Sequence, residues 1–446
     1  KEAVPDAFVL VSFAVLPDGY TREGRHCAEL VRSMTACGAV DAVGLNCVSA
    51  PGAMRALVQQ LGETELPLAV MPNAGYPVVT RTRVQYQGRP EYFARELVGL
   101  AAEGVRILGG CCGTTPAHIA ALRAALDALP ETLPAAPAAA VSTAAKPEVE
   151  KDDAFLRKLN AGKKVIAIEL DSPKDADLTG YLDGARRLQA AGADLLTIAD
   201  CPIARARMDS SLVACRVHRE LGLCTLPHMT CRDRNLNATK ALLLGLYAEG
   251  VREVLAITGD PIPTAERDEV KNVYQFNSRK LAQYIVSLAG EGREMPSPLT
   301  VFGALNLNAR NFDVELRRAQ EKLQNGMSGF LTQPVLSAQA VVNLKKTRET
   351  LGEKAKILAG IMPVVSQRNA IFMENEVNGI HVNAEIIERF AGLDRAQGEE
   401  LGLEVSVKAA QAAAPYADGF YLMTPFNRIA LMERLIARLK DEGIAD

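Results

Sequence analysis

From residue 151 onward, short apolar runs alternate with longer stretches whose apolar positions recur at helical spacing. The apolar runs predict strands at 164–170, 194–199, 223–228, 253–258, 299–305, 328–333, 356–363 and 418–423. The intervening segments, such as Thr179–Ala191 and Phe312–Asn325, predict amphipathic helices. Strand and helix in eightfold alternation predict an α/β chain closed into a (β/α)8 TIM barrel. A doubly wound sheet is the alternative, but no Gly-rich dinucleotide fingerprint follows the first strand. Upstream, strand-like runs fall at 7–13, 41–47, 67–72 and 105–109. Between the two regions lies an Ala/Pro-rich stretch whose prolines at 134, 137 and 147 oppose a helix. The pattern therefore divides the chain into 1–128, a linker at 129–150, and 151–446.

Composition narrows the function classes. A chain of 446 residues with 48% hydrophobic content has room for more than one core. A net charge of −3 argues against charge-driven nucleic-acid binding. No apolar run is long enough to span a membrane. Nine cysteines, odd in number and without framework spacing, read as reduced thiols of a cytoplasmic protein. Lys1 stands where an initiator Met would, so the true N-terminus is expected to lie upstream. Homo-oligomerisation is left open.

In the first region two strand ends finish in cysteine. One reads Gly44-Leu45-Asn46-Cys47, the other Gly109-Gly110-Cys111-Cys112-Gly113-Thr114. Three thiolates meeting at strand ends form a soft anionic nest suited to zinc with one position open. That position would take a substrate sulfur and hold it as a thiolate. The competing view makes these cysteines small buried hydrophobes; a disulfide between the adjacent pair would be strained. The two motifs resemble the zinc signature of the homocysteine S-methyltransferases, over about residues 1–125. The resemblance implies Zn2+ held by Cys47, Cys111 and Cys112, with homocysteine as methyl acceptor. That family's barrel has eight strands, and four are visible here before the linker. The region is accordingly expected to be the C-terminal half of a second (β/α)8 barrel.

In the second region the barrel rule directs attention to the C-terminal ends of the strands. Glu169 closes the first strand, where partial desolvation would raise its pKa and suit a general acid; a surface carboxylate paired with lysine is the alternative. The third ends Pro227-His228-Met229-Thr230-Cys231. A metal reading of Cys224, His228 and Cys231 is disfavoured, because Cys224 and His228 lie along one strand. The fourth ends Thr258-Gly259-Asp260-Pro261, where glycine permits close approach of a flat ligand, or simply makes a turn. Gln333 offers an amide donor and acceptor. Lys322 on the preceding helix is either a phosphate partner or a solvated charge. Arg428 after the eighth strand is placed to clamp a carboxylate.

These strand ends, with Gly360-Ile361-Met362-Pro363-Val364 and Phe426-Asn427-Arg428, resemble the methylenetetrahydrofolate reductases over about residues 155–440. The resemblance implies a flavin-dependent barrel that passes hydride from NAD(P)H through FAD to methylenetetrahydrofolate. It implies Glu169 as general acid and Asp260 as an acid facing flavin and folate. It implies flavin contacts at Thr197, His228, Thr258, Gly259 and Lys322, and at Asn306 and Asn308 in the loop after the fifth strand. Gln333 and Arg428 are implied as folate contacts. The chain departs from the family at Ser172-Pro173, where Pro-Pro is frequent, and at Ile198-Ala199-Asp200-Cys201, where an aromatic and a glycine are frequent. Together the two resemblances imply a fused reductase and methyltransferase. A non-flavin lyase or aldolase would need a Schiff-base lysine at a strand end, and none stands out. A non-catalytic folate-binding protein is the other alternative.

Overall fold

The computed structural model describes residues 1, 4–16, 19–21, 25–47, 50–62, 64–79, 84–86, 88–129, 153–263, 269–290, 293–377 and 379–445. The predicted linker therefore lies, apart from Leu129, outside the described residues. The chain divides into two compact units, Lys1–Glu148 and Val149–Asp446.

The first unit carries a four-stranded parallel sheet in the order β1 (Leu10–Phe13), β2 (Ala42–Asn46), β3 (Leu68–Met71) and β6 (Ile107–Leu108). A separate antiparallel pair, β4 (Pro77–Val79) and β5 (Val84–Tyr86), was not anticipated from the sequence. Helices α1 (Cys27–Cys37), α2 (Pro51–Leu61), α3 (Pro90–Ala102) and α4 (Pro116–Asp127) follow in chain order. Val43, Leu45 and Val70 of the sheet pack with Leu30, Met54, Leu57 and Leu100 of the helices in one apolar core. The covered strands are apolar at successive positions, as a sheet buried by crossover helices requires.

The second unit is a closed parallel barrel, as the alternating pattern predicts. Its strands are β7 (Val165–Glu169), β8 (Leu195–Ile198), β9 (Cys224–Thr230), β10 (Glu253–Ile257), β11 (Thr300–Leu305), β12 (Gly329–Pro334), β13 (Lys356–Ile361) and β14 (Gly419–Met423). Pairing of β14 with β7, Met423 opposite Glu169, closes the ring. Helix α5 (Ala154–Asn160) precedes the first strand and inserts Phe155 and Leu159 into the barrel core with Leu195, Leu226, Phe302 and Leu358. Asp153 caps this helix by accepting from the Leu156 N–H at 2.9 Å.

The outer helices are α6 (Thr179–Ala191), α7 (Ser210–Leu221), α8 (Leu236–Ala248), α9 (Ser278–Ser287), α10 (Phe312–Gln324), α11 (Ala338–Leu351), α12 (Gln367–Glu376), α13 (Ala384–Arg389), α14 (Arg395–Ala413) and α15 (Ile429–Asp441). Asp209, Asn235, Asn277, Asn311, Ser337 and Ser366 cap helix starts through their side chains, which ends each strand-to-helix loop at a defined residue. The β12–β13 register shifts between Leu331 and Pro334, and this irregularity falls where Gln333 leaves the strand.

Candidate functional sites

The C-terminal ends of the barrel strands converge on a cavity of about 470 Å3. Glu169, His228, Gly259, Asp260 and Gln333 all line it, so five of the residues marked in the sequence share one site. Glu169 lies beside Thr197 in register, and Thr197 is fully buried. The Tyr421 hydroxyl donates a hydrogen bond to Glu169 Oε2. Burial and the nearby Asp171 charge push the Glu169 carboxyl up to about 7, against the opposing pull of that hydrogen bond. His228 Nε2 stands 3.9 Å from the same oxygen, beyond hydrogen-bond range, and has no partner among the described residues. Burial holds the imidazole down at about 4, so at neutral pH it is an uncharged flat ring and not an ion-pair partner.

On the adjoining side, Asp260 Oδ2 accepts from the Ile203 N–H at 2.9 Å. Gly259 has φ +91°, and a Cβ there would lie 2.9 Å from Thr230 Cβ, so the turn needs glycine on both counts. Beneath it Arg232, 2% exposed, pairs with Asp233 at 2.7 Å and donates to the carbonyls of Asp260 and Cys201 at 3.2 and 3.3 Å. Arg234 bridges Asp200 and Asp209 at 2.8 and 2.6 Å, and Asp200 also accepts from the Thr230 N–H and hydroxyl. This buried ionic frame ties three strand-end loops together. Sequence reasoning passed over it; a signal existed in Asp200, an acid closing an apolar strand just as Glu169 does.

The remaining marked residues sit elsewhere. Thr258 is exposed, its hydroxyl 3.4 Å from the Ser278 N–H. Lys322 is neither solvated nor free: its Nζ donates to the Ala304 carbonyl at 2.6 Å, and burial lowers its pKa. Asn306 and Asn308 line a second, polar cavity of about 700 Å3 with Arg310, Glu374 and His381. Val377 borders both cavities. Arg428 pairs with Glu399 at 3.0 Å and does not line the first cavity. Cys224 and Cys231 form no metal-type cluster with His228; among the described residues only Cys47, Cys111 and Cys112 do so.

That cluster occupies the strand ends of the first unit. The three sulfurs lie within 4.8 Å of one another, with Cys47 to Cys112 at 3.5 Å and Cys111 to Cys112 at 4.0 Å. A tetrahedral zinc with bonds of about 2.3 Å sets its sulfurs about 3.8 Å apart, so the donor set fits such an ion. The loop after β3 frames the site. The Cys47 N–H donates to the Met71 carbonyl, the Cys111 N–H to the Pro72 carbonyl, and the Cys112 N–H to Asn73 Oδ1, all at 2.9–3.2 Å. Cys47 has φ +58°, a strained value for a non-glycine residue. Gly113, at φ +76°, lies so close to the Tyr86 ring that a Cβ would stand 2.3 Å from Tyr86 Cβ. Neither Asn73 nor Tyr86 was singled out from the sequence. Strained non-glycine residues also gather at the barrel mouth, at Cys201, Ile203, Ala204, Phe426 and Asn427.

A (β/α)8 barrel with a half-buried acid of raised pKa lining the cavity at its strand ends defines the second unit as a barrel enzyme. The methylenetetrahydrofolate reductase family model matches residues 154–440, and the chain belongs to that family. The homocysteine S-methyltransferase model matches residues 1–126. In the curated proteins, methionine synthase of Mycobacterium tuberculosis is 44% identical over 89 residues, 20% of this chain and 8% of that protein. Homocysteine S-methyltransferase of Escherichia coli is 36% identical over 124 residues, 27% of this chain and 40% of that protein. The chain thus spans well under half the length of either relative. A solved structure of an uncharacterized protein from Clostridium thermocellum, described as binding two copies of 5-methyl-5,6,7,8-tetrahydrofolic acid, is similar with TM-score 0.48 and 12% identity, over 65% of this chain and 99% of that one. No helix among the described residues is long and apolar enough to cross a membrane.

Proposed function

We propose that the barrel unit reduces 5,10-methylenetetrahydrofolate to 5-methyltetrahydrofolate with NAD(P)H, using FAD, and that the first unit transfers a methyl group to homocysteine on zinc. The observation that carries the reductase reading is Glu169: a largely desolvated carboxyl held up to about 7, lining the strand-end cavity with its side chain 23% exposed, in a chain of the reductase family. FAD, when bound, supplies the hydride carrier between NAD(P)H and folate. Neutral His228 with an unpartnered Nε2 among the described residues, and the cavity-lining backbone of Gly259, suit a flat heterocycle against β9 and β10. Thr197, Thr258, Lys322, Asn306 and Asn308 are the other residues proposed to hold it.

With its carboxyl pushed up to about 7, Glu169 can still carry a proton near neutral pH. Glu169 delivers it to a bridging nitrogen of the folate; the carbon–nitrogen bond breaks, its electron pair stays on nitrogen, and the carbon becomes the hydride acceptor. Gln333 orients the heterocycle edge through its amide. Asp260 faces the same space while bracing the Ile203 N–H. Arg428 takes the glutamate tail by exchanging Glu399 for a substrate carboxylate.

The test separates the half-reactions. The holoprotein is expected to show a flavin band that bleaches with NADH under anaerobic conditions and returns with methylenetetrahydrofolate. Glu169→Gln keeps the bleaching and slows the return roughly 10²- to 10⁴-fold, the usual weight of a general acid. Equal loss of both steps, or a colourless protein that FAD cannot reconstitute, refutes the reading.

The second reading rests on the three converged sulfurs. Cys47, Cys111 and Cys112 would hold the zinc, which would supply the Lewis acid that keeps a homocysteine sulfur as thiolate. Nine free cysteines support a reducing, cytoplasmic setting. The division into 1–128, 129–150 and 151–446 is proposed on the same footing, supported by the two compact units and the spans of the family matches.

A further inference from the structure

We infer that Tyr421 is a positioning residue for the reductive chemistry: its hydroxyl holds Glu169 Oε2, so that Oε1 is the oxygen presented to substrate, and it steadies the carboxylate left when the proton departs. The inference rests on the reading of Glu169 as the folate acid.

The geometry follows from the barrel. Tyr421 on β14 pairs with Ala167 on β7, and Met423 with Glu169, so Tyr421 sits two residue pairs deeper than the acid, on the same face of the sheet. Ala167 is small and fully buried, which leaves room for a phenol ring beside it. The ring joins the barrel core with Ala167, Leu195 and Leu358, while the hydroxyl reaches upward into the cavity. An aromatic side chain anchored this way is a rigid rod with one polar tip. That tip is the only hydrogen-bond donor on the Glu169 carboxyl among the described residues.

The other groups facing Glu169 do not substitute for it. His228 on β9 stands 3.9 Å from Oε2 and is uncharged at neutral pH. Thr197 on β8 is the register neighbour. Asp171, Asp200 and Asp260 line the same cavity; of these the Asp171 charge acts on Glu169 and disfavours its ionised form, while Asp200 is paired with Arg234. Tyr181 on α6 is buried and feels the Glu169 and Asp171 charges. Burial and Asp171 favour the neutral acid, whereas the Tyr421 hydrogen bond favours the ionised one. As Glu169 gives its proton from Oε1 to the folate nitrogen, negative charge develops on the carboxyl. The Tyr421 hydrogen bond then becomes charge-assisted and stronger, so it stabilises the transition state more than the ground state.

The experiment follows reoxidation of the reduced holoprotein by methylenetetrahydrofolate, anaerobically, on both sides of pH 7. Wild type, Tyr421→Phe and Glu169→Gln are compared, with flavin reduction by NADH as the parallel readout. Tyr421→Phe is expected to lower the low-pH plateau of reoxidation roughly ten- to a hundredfold, the weight of a hydrogen bond to a charged group. It is also expected to move the midpoint to higher pH, since the donor that favoured ionisation is gone, and to leave flavin reduction unchanged. Wild-type plateau and midpoint in Tyr421→Phe, with Glu169→Gln inactive in this step, overturn the role of Tyr421 alone. Equal losses in both half-reactions of Tyr421→Phe mark a merely structural role and overturn it too. Retention of the folate step in Glu169→Gln overturns instead the acid reading beneath it. Should Tyr421→Phe not fold, 3-fluorotyrosine at the same position serves: its more acidic hydroxyl donates more strongly and shifts the midpoint to lower pH, and an unmoved midpoint overturns the inference.

Discussion

The two units use the same building block to different degrees of closure. In the barrel, eight parallel strands form a ring, so every strand has two partners, and the ends of all strands but β13 line one cavity. In the first unit the sheet has four strands, and β1 and β6 each have one partner within it among the described residues. Both nevertheless assemble a site at strand ends, by different means. The barrel site is held by side chains: the Arg232, Arg234, Asp200 and Asp209 frame and the Tyr421–Glu169 bond. The cysteine site is held through the backbone N–H groups of the cysteines, which donate to the Met71 and Pro72 carbonyls and to the Asn73 side-chain oxygen. A cluster of three sulfurs needs only the loops after β2, β3 and β6, whereas a cavity for a large flat ligand needs most of a ring.

That contrast is open to attack, first at its most sensitive point. Cys112→Ala leaves two of three sulfurs, and zinc content per chain is expected to fall from near one to near zero, while flavin reduction and reoxidation in the barrel stay at wild-type rates. Unchanged zinc in the variant would remove the ligand assignment. The next probe is stability. Phe155→Ala empties a fully buried aromatic from the plug helix α5 and is expected to cost the barrel about 3–5 kcal/mol. Calorimetry should show the barrel transition lowered and the cysteine-bearing unit unmoved; a shift in both would show that the two units melt as one.

The smallest effect is a slope. The Glu169 carboxyl sits at about 7 when folded and near 4.3 in an unfolded chain. Between those values the folded state binds the extra proton, so its contribution to stability is present at low pH and is lost as pH rises toward 7. Glu169→Gln lacks that loss. Its stability relative to wild type should therefore climb across this window by up to about 4 kcal/mol and level off above it. Denaturant midpoints at a series of pH values check this, and a flat difference would mean that the carboxyl is not held neutral by burial.

Most of the barrel could be read from the chain, because its strands are apolar at nearly every position and its helices are amphipathic. Two signals with different periods do not blur into each other. Glu169, His228, Gly259, Asp260 and Gln333 were readable for a related reason: each interrupts an apolar run at its C-terminal end. Tyr421 was hidden, since a tyrosine inside Gly419–Met423 looks like any other strand residue until the ring closes and β14 meets β7. The β4–β5 pair was hidden because strands of three residues carry too little periodicity to register. Lys322 and Arg428 show the converse limit: their charge was visible, but the carbonyl of Ala304 and the carboxylate of Glu399 that engage them here could not be read from the neighbouring residues.

Local pattern was thus enough for the two regions, the barrel class, and the residue types that do chemistry, because burial periodicity and strand-end position are written into consecutive residues. Which of those residues meet, which proton is held and by whom, and which charge is already spent on a neighbour depended on contacts between positions as far apart as Glu169 and Tyr421. Such contacts exist only once the strands have chosen their partners and the ring has closed.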